Sequence, residues 1–266
     1  MDIKLRYAKE SDIPVLKNLW QICFGDRMRY IDVFFEKMFV AENTIIAEVD
    51  NEVAGVVYLL ERTLSEKKFM YGYAIGVFPE YRGNNICETM LEFIKEKSIN
   101  EGFIFGLHPA NDKLTQFYKK IGLNEMYYLK ETDCSHMMSD EVYEPKDIVA
   151  SEFYNLRENA FKNCVKWNEA ALEYIIRNGE TVKKIPLQHK MLYFVLSIQE
   201  NTAFIKETNA AGDELPIVIC SVKHHYNVEN VICLLSKESA VNGTIKPMVL
   251  GFSERDENVY MNLFLD

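Results

Sequence analysis

The sequence predicts a mixed α/β fold: a mostly antiparallel sheet flanked by helices, followed by a smaller α+β domain. Three observations carry this. The first half alternates strand and helix patterns in the order β-α-α-β-β-β-α-β-α-β. Residues 44–49 and 53–60 are β-branched runs flanking Asp50-Asn51, a two-residue hairpin signal that makes the early strands antiparallel. Residues 69–77, 85–99 and 103–107 then form a strand-helix-strand unit, whose crossover requires a parallel pair.

Each element has its own signal. Residues 3–7 read as a short strand. Ser11-Asp12 offers an N-cap, Pro14 suits a first turn, and Leu16, Leu19, Trp20 and Cys23 follow at helical spacing up to Gly25. A second helix is expected over 29–39. Pro79 ends the strand at 69–77. Ile86, Met90, Leu91, Phe93 and Ile94 give the next helix an apolar face. A helix over 113–121 closes at Gly122, and 124–130 is the last strand of this half. Beyond a polar stretch, 149–161 and 168–177 read as helices, and 191–198, 203–207 and 215–222 as strands. Residues 209–213 are taken as the turn joining the last two strands, and 228–235 as a helix. Strands at 245–250 and 259–265 close the chain. The expected division is 1–133, a linker at 134–147, and 148–266.

Composition narrows the function. Of 266 residues, 48% are hydrophobic and 26% charged, an ordinary globular balance without a disorder signature. The net charge of −10 argues against nucleic acid or an anionic membrane as partner and mildly favours a cationic substrate. Six cysteines without C-x-x-C spacing read as reduced thiols of a cytoplasmic protein, and no Cys/His spacing suggests a metal. No apolar run is long enough for a membrane span, and Met1-Asp2-Ile3-Lys4 opens no leader.

The segment that carries chemistry joins strand 69–77 to the following helix: Val77-Phe78-Pro79-Glu80-Tyr81-Arg82-Gly83-Asn84-Asn85-Ile86-Cys87. A tight loop into a helix N-terminus turns successive amides toward one point at the positive end of the helix dipole, where a diphosphate binds without lysine. Gly83 permits close approach, and Arg82 can add a charge-assisted contact. The plainer reading is an ordinary strand-to-helix turn. Cys87 sits where a helix N-terminus lowers a thiol pKa, but no histidine lies near in sequence to activate it, so a structural role is expected. Asn111 is placed to cap the helix after it. His224-His225 are assigned to the end of a strand, with no metal role.

Val77-Phe78-Pro79-Glu80-Tyr81-Arg82-Gly83 resembles the V-x-P-E-Y-R-G signature of the GCN5-related N-acetyltransferase (GNAT) superfamily, and residues 115–123 resemble its A-x-x-F-Y-x-x-x-G-F helix. Asn85 and Cys87 stand where that loop usually has glycine or alanine. The resemblance, over about residues 3–131, implies acetyl-CoA (CoA) as co-substrate. Its diphosphate would sit on Arg82, Gly83, Asn84, Asn85, Ile86 and Cys87. Its pantetheine arm would pair with Ile75 and Val77 and touch Asn111. Tyr118 would protonate the departing thiolate. The implied reaction is direct acetyl or short acyl transfer to a primary amine of a small molecule or peptide. The general base is open among Glu48, Glu61, Tyr71 and a water chain.

Two other functions remain beside this one: a non-catalytic acyl-CoA-binding or regulatory protein, favoured by Asn85 and Cys87, and an interaction adaptor acting through the C-terminal half. That half shows no glycine-rich loop. It reads either as a degenerate GNAT-like copy, on a faint echo of the first hairpin, or as a small α+β domain of other origin. Its apolar strands could supply a homodimer surface.

Overall fold

The computed structural model describes residues 1–253 and 259–262. In chain order the first half contains β1 (Ile3–Tyr7), α1 (Ile13–Phe24), α2 (Met28–Lys37), β2 (Thr44–Val49), β3 (Glu52–Leu64), β4 (Lys67–Val77), α3 (Ile86–Glu101), β5 (Ile104–Leu107), α4 (Asp112–Lys120) and β6 (Asn124–Asp133). The second contains β7 (Lys146–Asp147), α5 (Ala150–Ala160), β8 (Val165–Lys166), α6 (Glu169–Arg177), β9 (Thr181–Pro186), β10 (Met191–Gln199) and β11 (Thr202–Thr208). It ends with α7 (Glu214–Tyr226), β12 (Asn230–Ser236) and β13 (Thr244–Gly251).

Two compact units result: Met1–Met126 with Val249–Arg255, and Tyr127–Met248 with Asp256–Asp266. The division falls inside β6 and β13 rather than at the polar stretch 134–147. That stretch is built into the second unit. Cys134 is fully buried, its N–H donating to the Val231 carbonyl (2.8 Å). Ser135 Oγ accepts from the Val231 N–H (2.9 Å), and Ser221 Oγ from the Tyr143 N–H (3.0 Å). The polar residues that suggested a linker satisfy backbone groups.

In the first unit the strands run β1-β2-β3-β4-β5, antiparallel except for the β4–β5 pair. Leu250 and Gly251 of β13 pair antiparallel with Leu107 and Gly106 of β5. The hairpin turn at Asp50-Asn51 has φ of +52° and +65°, the primed geometry matched to strand twist. Ser65-Glu66 makes a second such turn, with φ of +47° and +67°. Alternation divides the strand side chains between two faces. One carries Ile45, Ala47, Val57, Leu59 and Met70 against Met90, Leu91 and Ile94 of α3 and Tyr118 of α4. The other carries Tyr58 and Tyr73 around Trp20 of α1, whose ring lies 4.7 Å from Phe34 of α2 and 5.4 Å from Tyr58.

The second unit repeats this element order. β7, α5, α6, β9, β10, β11, α7 and β12 follow one another as β1, α1, α2, β2, β3, β4, α3 and β5 do, with only the two-residue β8 added. The strand order is β7-β9-β10-β11-β12-β6, and β11–β12 is its parallel pair. Two expectations are corrected here. Residues 215–222 lie in helix α7, not a strand. Their β-branched content suggested a strand, but Leu215, Val218, Ile219 and Val222 share one buried helical stripe and Pro216 fits the first turn. Residues 228–235 contain β12, not a helix. Val231, Cys233 and Leu235 alternate inward, the period of a strand. Residues 209–213 therefore enter a helix, and His224-His225 sit in the last turn of α7, not at a strand end. The echo expected from three strands over 191–222 is instead two strands followed by a helix. The strand at 181–186 had not been anticipated, and the one expected at 259–265 falls partly outside the described residues. No described helix is long and apolar enough to cross a membrane.

Candidate active site

The β4–β5 pairing ends early. Four registered pairs run from Phe69↔Ile104 to Gly72↔Leu107, after which β5 stops and β4 continues through Tyr73 to Val77. On its other edge β4 is bulged. The register against β3 steps from Val56↔Gly76 to Tyr58↔Tyr73, so Ala74 and Ile75 together oppose Val57. Ala74 takes φ +44°, a left-handed conformation that is strained for a residue with a Cβ. A bulge bends its strand and increases local twist, here where β4 leaves its parallel neighbour. The result is an edge of β4, over Tyr73–Val77, that β5 does not pair.

The loop from β4 into α3 follows directly on this unpaired edge. Pro79–Tyr81 form a 3-10 turn, Gly83 takes φ +80°, and Asn85 caps α3 at φ +59°. Asn85 thus occupies a left-handed position that asparagine tolerates better than most residues. The Asn84 side-chain amide donates to the Tyr81 and Arg82 carbonyls (3.1 and 3.3 Å), holding the loop closed. Among the described residues, the N–H groups of Gly83, Asn84, Asn85, Ile86, Cys87 and Glu88 have no protein acceptor; the first helical bond is Thr89 N–H to Asn85 O (2.9 Å). A Cβ on Gly83 would meet nothing within 4 Å. Six such donors lie at the start of a 16-residue helix, where the positive end of the helix dipole favours negative charge. Asn85→Val should cost about 1–2 kcal/mol through the left-handed strain, read as a lower chemical-denaturation midpoint, whereas Asn85→Gly should be close to neutral.

Arg82 is placed differently from the phosphate contact expected of it. Its Nε donates to the Val77 carbonyl (3.0 Å), and its Nη2 lies 3.6 Å from Cys23 Sγ, which itself donates to Val77 O (3.3 Å). Arg82 therefore ties the end of β4 to α1, and the Val77 carbonyl is already engaged within the protein. Ile75 is half-buried in the bulge. Asn111 caps α4, its Oδ1 accepting from the Leu114 N–H (3.0 Å), and is otherwise exposed.

Tyr118 and Cys87 lie close together within one core. Burial raises the Tyr118 phenol above its usual value, and the neighbouring Cys87 adds to the shift. Its hydroxyl has no protein partner among the described residues, although the side chain is only 6% exposed. Burial, with a smaller contribution from Glu88, pushes the Cys87 thiol up to about 12. The lowering expected at a helix N-terminus is overcome by desolvation, and Cys87 remains a thiol. The expected bases are not gathered here. Glu48 pairs with Arg6 (2.7 Å), Glu61 pairs with Lys68 (2.9 Å) in the distal half of β3, and Tyr71 is buried beside Tyr73. Sequence reasoning missed the Ala74 bulge, which no residue type signals, and the Cys23–Arg82–Val77 tie, which joins positions up to 59 residues apart.

A mostly antiparallel sheet with one parallel pair, flanked by helices, with a bulged β4 leading through a loop of unpaired amides into α3, is the architecture of an acyltransferase-type domain. Residues 13–123 match the family model described as acetyltransferase (GNAT) family, which supports the GNAT superfamily for the N-terminal half of the chain. A GCN5-related N-acetyltransferase from Anabaena variabilis superposes with a TM-score of 0.71 at 17% identity, over 94% of this chain and 72% of that one. One from Kribbella flavida gives 0.68 at 14%, over 94% and 70%. Eis1 from Mycobacterium abscessus gives 0.65 at 11%, over 94% and 72%. At these identities the likeness is one of fold, and it spans both units. No curated protein matches the sequence.

Proposed function

We propose that the chain transfers an acetyl or other short acyl group from acetyl-CoA directly to a primary amine of a small molecule or peptide. The observation that supports this most is the set of six unpaired amides from Gly83 to Glu88, beyond the point where β4 ceases to pair with β5. Those amides would hold the diphosphate, and the open edge at Ile75 would take the pantetheine as an added strand. The amine nitrogen forms a bond to the acyl carbon while the carbon–sulfur bond breaks. Tyr118 gives its proton to the sulfur and regains one by way of solvent. Because burial raises the phenol, it keeps its proton throughout the neutral range.

A second reading, acyl-CoA binding without turnover, draws on the Val77 carbonyl and Arg82 being engaged with each other. One experiment separates the two. Millimolar CoA should raise the melting temperature, and acetyl-CoA with a panel of amines should release free thiol. A melting shift without thiol release selects the second reading, and no shift rejects both.

A further inference from the structure

The second unit repeats not only the element order of the first but also its parting strands. Four parallel pairs run from Thr202↔Asn230 to Ile205↔Cys233; then β11 continues to Thr208 and β12 to Ser236 without pairing to each other. The register of β11 against β10 shifts immediately beyond, between Val195 and Leu196, so Lys206 is the extra residue. The bulge in β4, at Ala74 and Ile75, comes two to three residues beyond its own last parallel pair at Gly72. A cavity of about 700 Å³ opens between these diverging ends, within the size range of small-molecule sites. Leu156, Ala160, Met191, Leu215, Leu234 and Val241 supply its apolar wall.

The loop into α7 differs from the loop into α3 in one decisive respect. It has small residues, Ala210-Ala211-Gly212, with Gly212 at φ +55°. Its anion position, however, is filled by the protein itself: Glu214 Oε2 accepts from the Ala211 N–H (3.2 Å) and pairs with Lys190 Nζ (2.7 Å). A fixed carboxylate there repels a phosphate and occupies the Ala211 N–H and the Lys190 ammonium that would otherwise be open to one. The polar groups near the mouth are also engaged: Asn209 bonds the Tyr193 N–H and the Met191 carbonyl, and Thr208 Oγ1 bonds the Tyr193 carbonyl.

We propose that this cavity is a second ligand site, specific for an uncharged aliphatic small molecule and closed to phosphate-bearing ligands. The site is independent of what the first unit binds. It is tested on the full chain by calorimetry with 1-octanol, octyl phosphate and CoA. Octanol should bind one per chain, with a negative heat-capacity change and no loss of affinity in millimolar CoA. Octyl phosphate should bind no tighter than octanol. Leu234→Trp, which fills the cavity, should weaken octanol at least tenfold. If that variant does not fold, Leu156→Trp from the opposite wall decides. Glu214→Gln should leave octanol unchanged and tighten octyl phosphate by roughly tenfold, because the donors to that carboxylate become available to an anion. The proposal is overturned if octanol does not bind at millimolar concentration, if CoA displaces it, if both tryptophan variants bind it unchanged, or if octyl phosphate is preferred by the unaltered protein. A missing CoA signal alone would count against the proposed function and not against this site.

Discussion

Tyr118→Phe should lower the rate of thiol release from acetyl-CoA by about 10²-fold or more while leaving CoA affinity within twofold, since general acid catalysis contributes on the order of 10²–10⁴. The side chain is almost wholly buried, yet its hydroxyl has no protein partner among the described residues. Removing that oxygen therefore breaks no internal hydrogen bond, and the phenylalanine ring keeps the contacts with the core around Leu91, Leu107 and Leu123. A purely packing role predicts unchanged turnover and unchanged stability. An acid role predicts unchanged stability with a large loss of turnover. Single-turnover thiol release, CoA titration and a denaturation curve on the same variant distinguish them. Because burial holds the phenol protonated well above neutrality, the unaltered protein should show no alkaline loss of rate attributable to this group up to about pH 10.

Arg157→Met should destabilise the chain by about 3–5 kcal/mol, the usual consequence of leaving one partner of a buried ion pair alone. Arg157 and Glu207 are 1% and 0% exposed, and Nε to Oε1 is 2.9 Å. Arg157 also donates to the Val165 carbonyl, and the Tyr193 hydroxyl donates to Glu207 Oε1 (2.8 Å). Burial is the largest effect and opposes the charge on Arg157, but Glu207, Cys164 and Tyr193 together outweigh it, so the guanidinium pKa is raised overall. Glu207 Oε2 has no partner among the described residues, so this carboxylate depends heavily on Arg157. The paired replacement Arg157→Met with Glu207→Leu should recover much of the loss, because no isolated charge is then buried. A denaturation midpoint lowered by both single changes and partly restored by the double change supports the account. A double variant no better than Arg157→Met alone would contradict it.

The two units show where local sequence was sufficient. In the first, three of the four helices had a local stop: Gly25, Gly102 and Gly122 adopt positive φ at the ends of α1, α3 and α4. Its strands were bounded by turn residues or proline, so element order was legible throughout. In the second, residues 215–222 misled because β-branched side chains are tolerated in a helix when tertiary packing covers them. Val218, Ile219 and Val222 are fully buried in the core with Leu192 and Leu196 of β10. Residues 228–235 misled in the opposite sense, since a short apolar run fits either period until its neighbours are known.

The sequence by itself determined the class of fold and the tight loop that leads from β4 into α3, because turns, caps and helix starts depend on residues adjacent in the chain. Only the tertiary structure decided that β4 is bulged at Ala74, that Arg82 turns back onto Val77 and Cys23, that Cys87 is held as a thiol, and that the second unit repeats the element order of the first with the Glu214 carboxylate on its loop amide. Those outcomes depend on burial and on contacts between segments far apart in sequence, whose energies no local pattern of residues encodes.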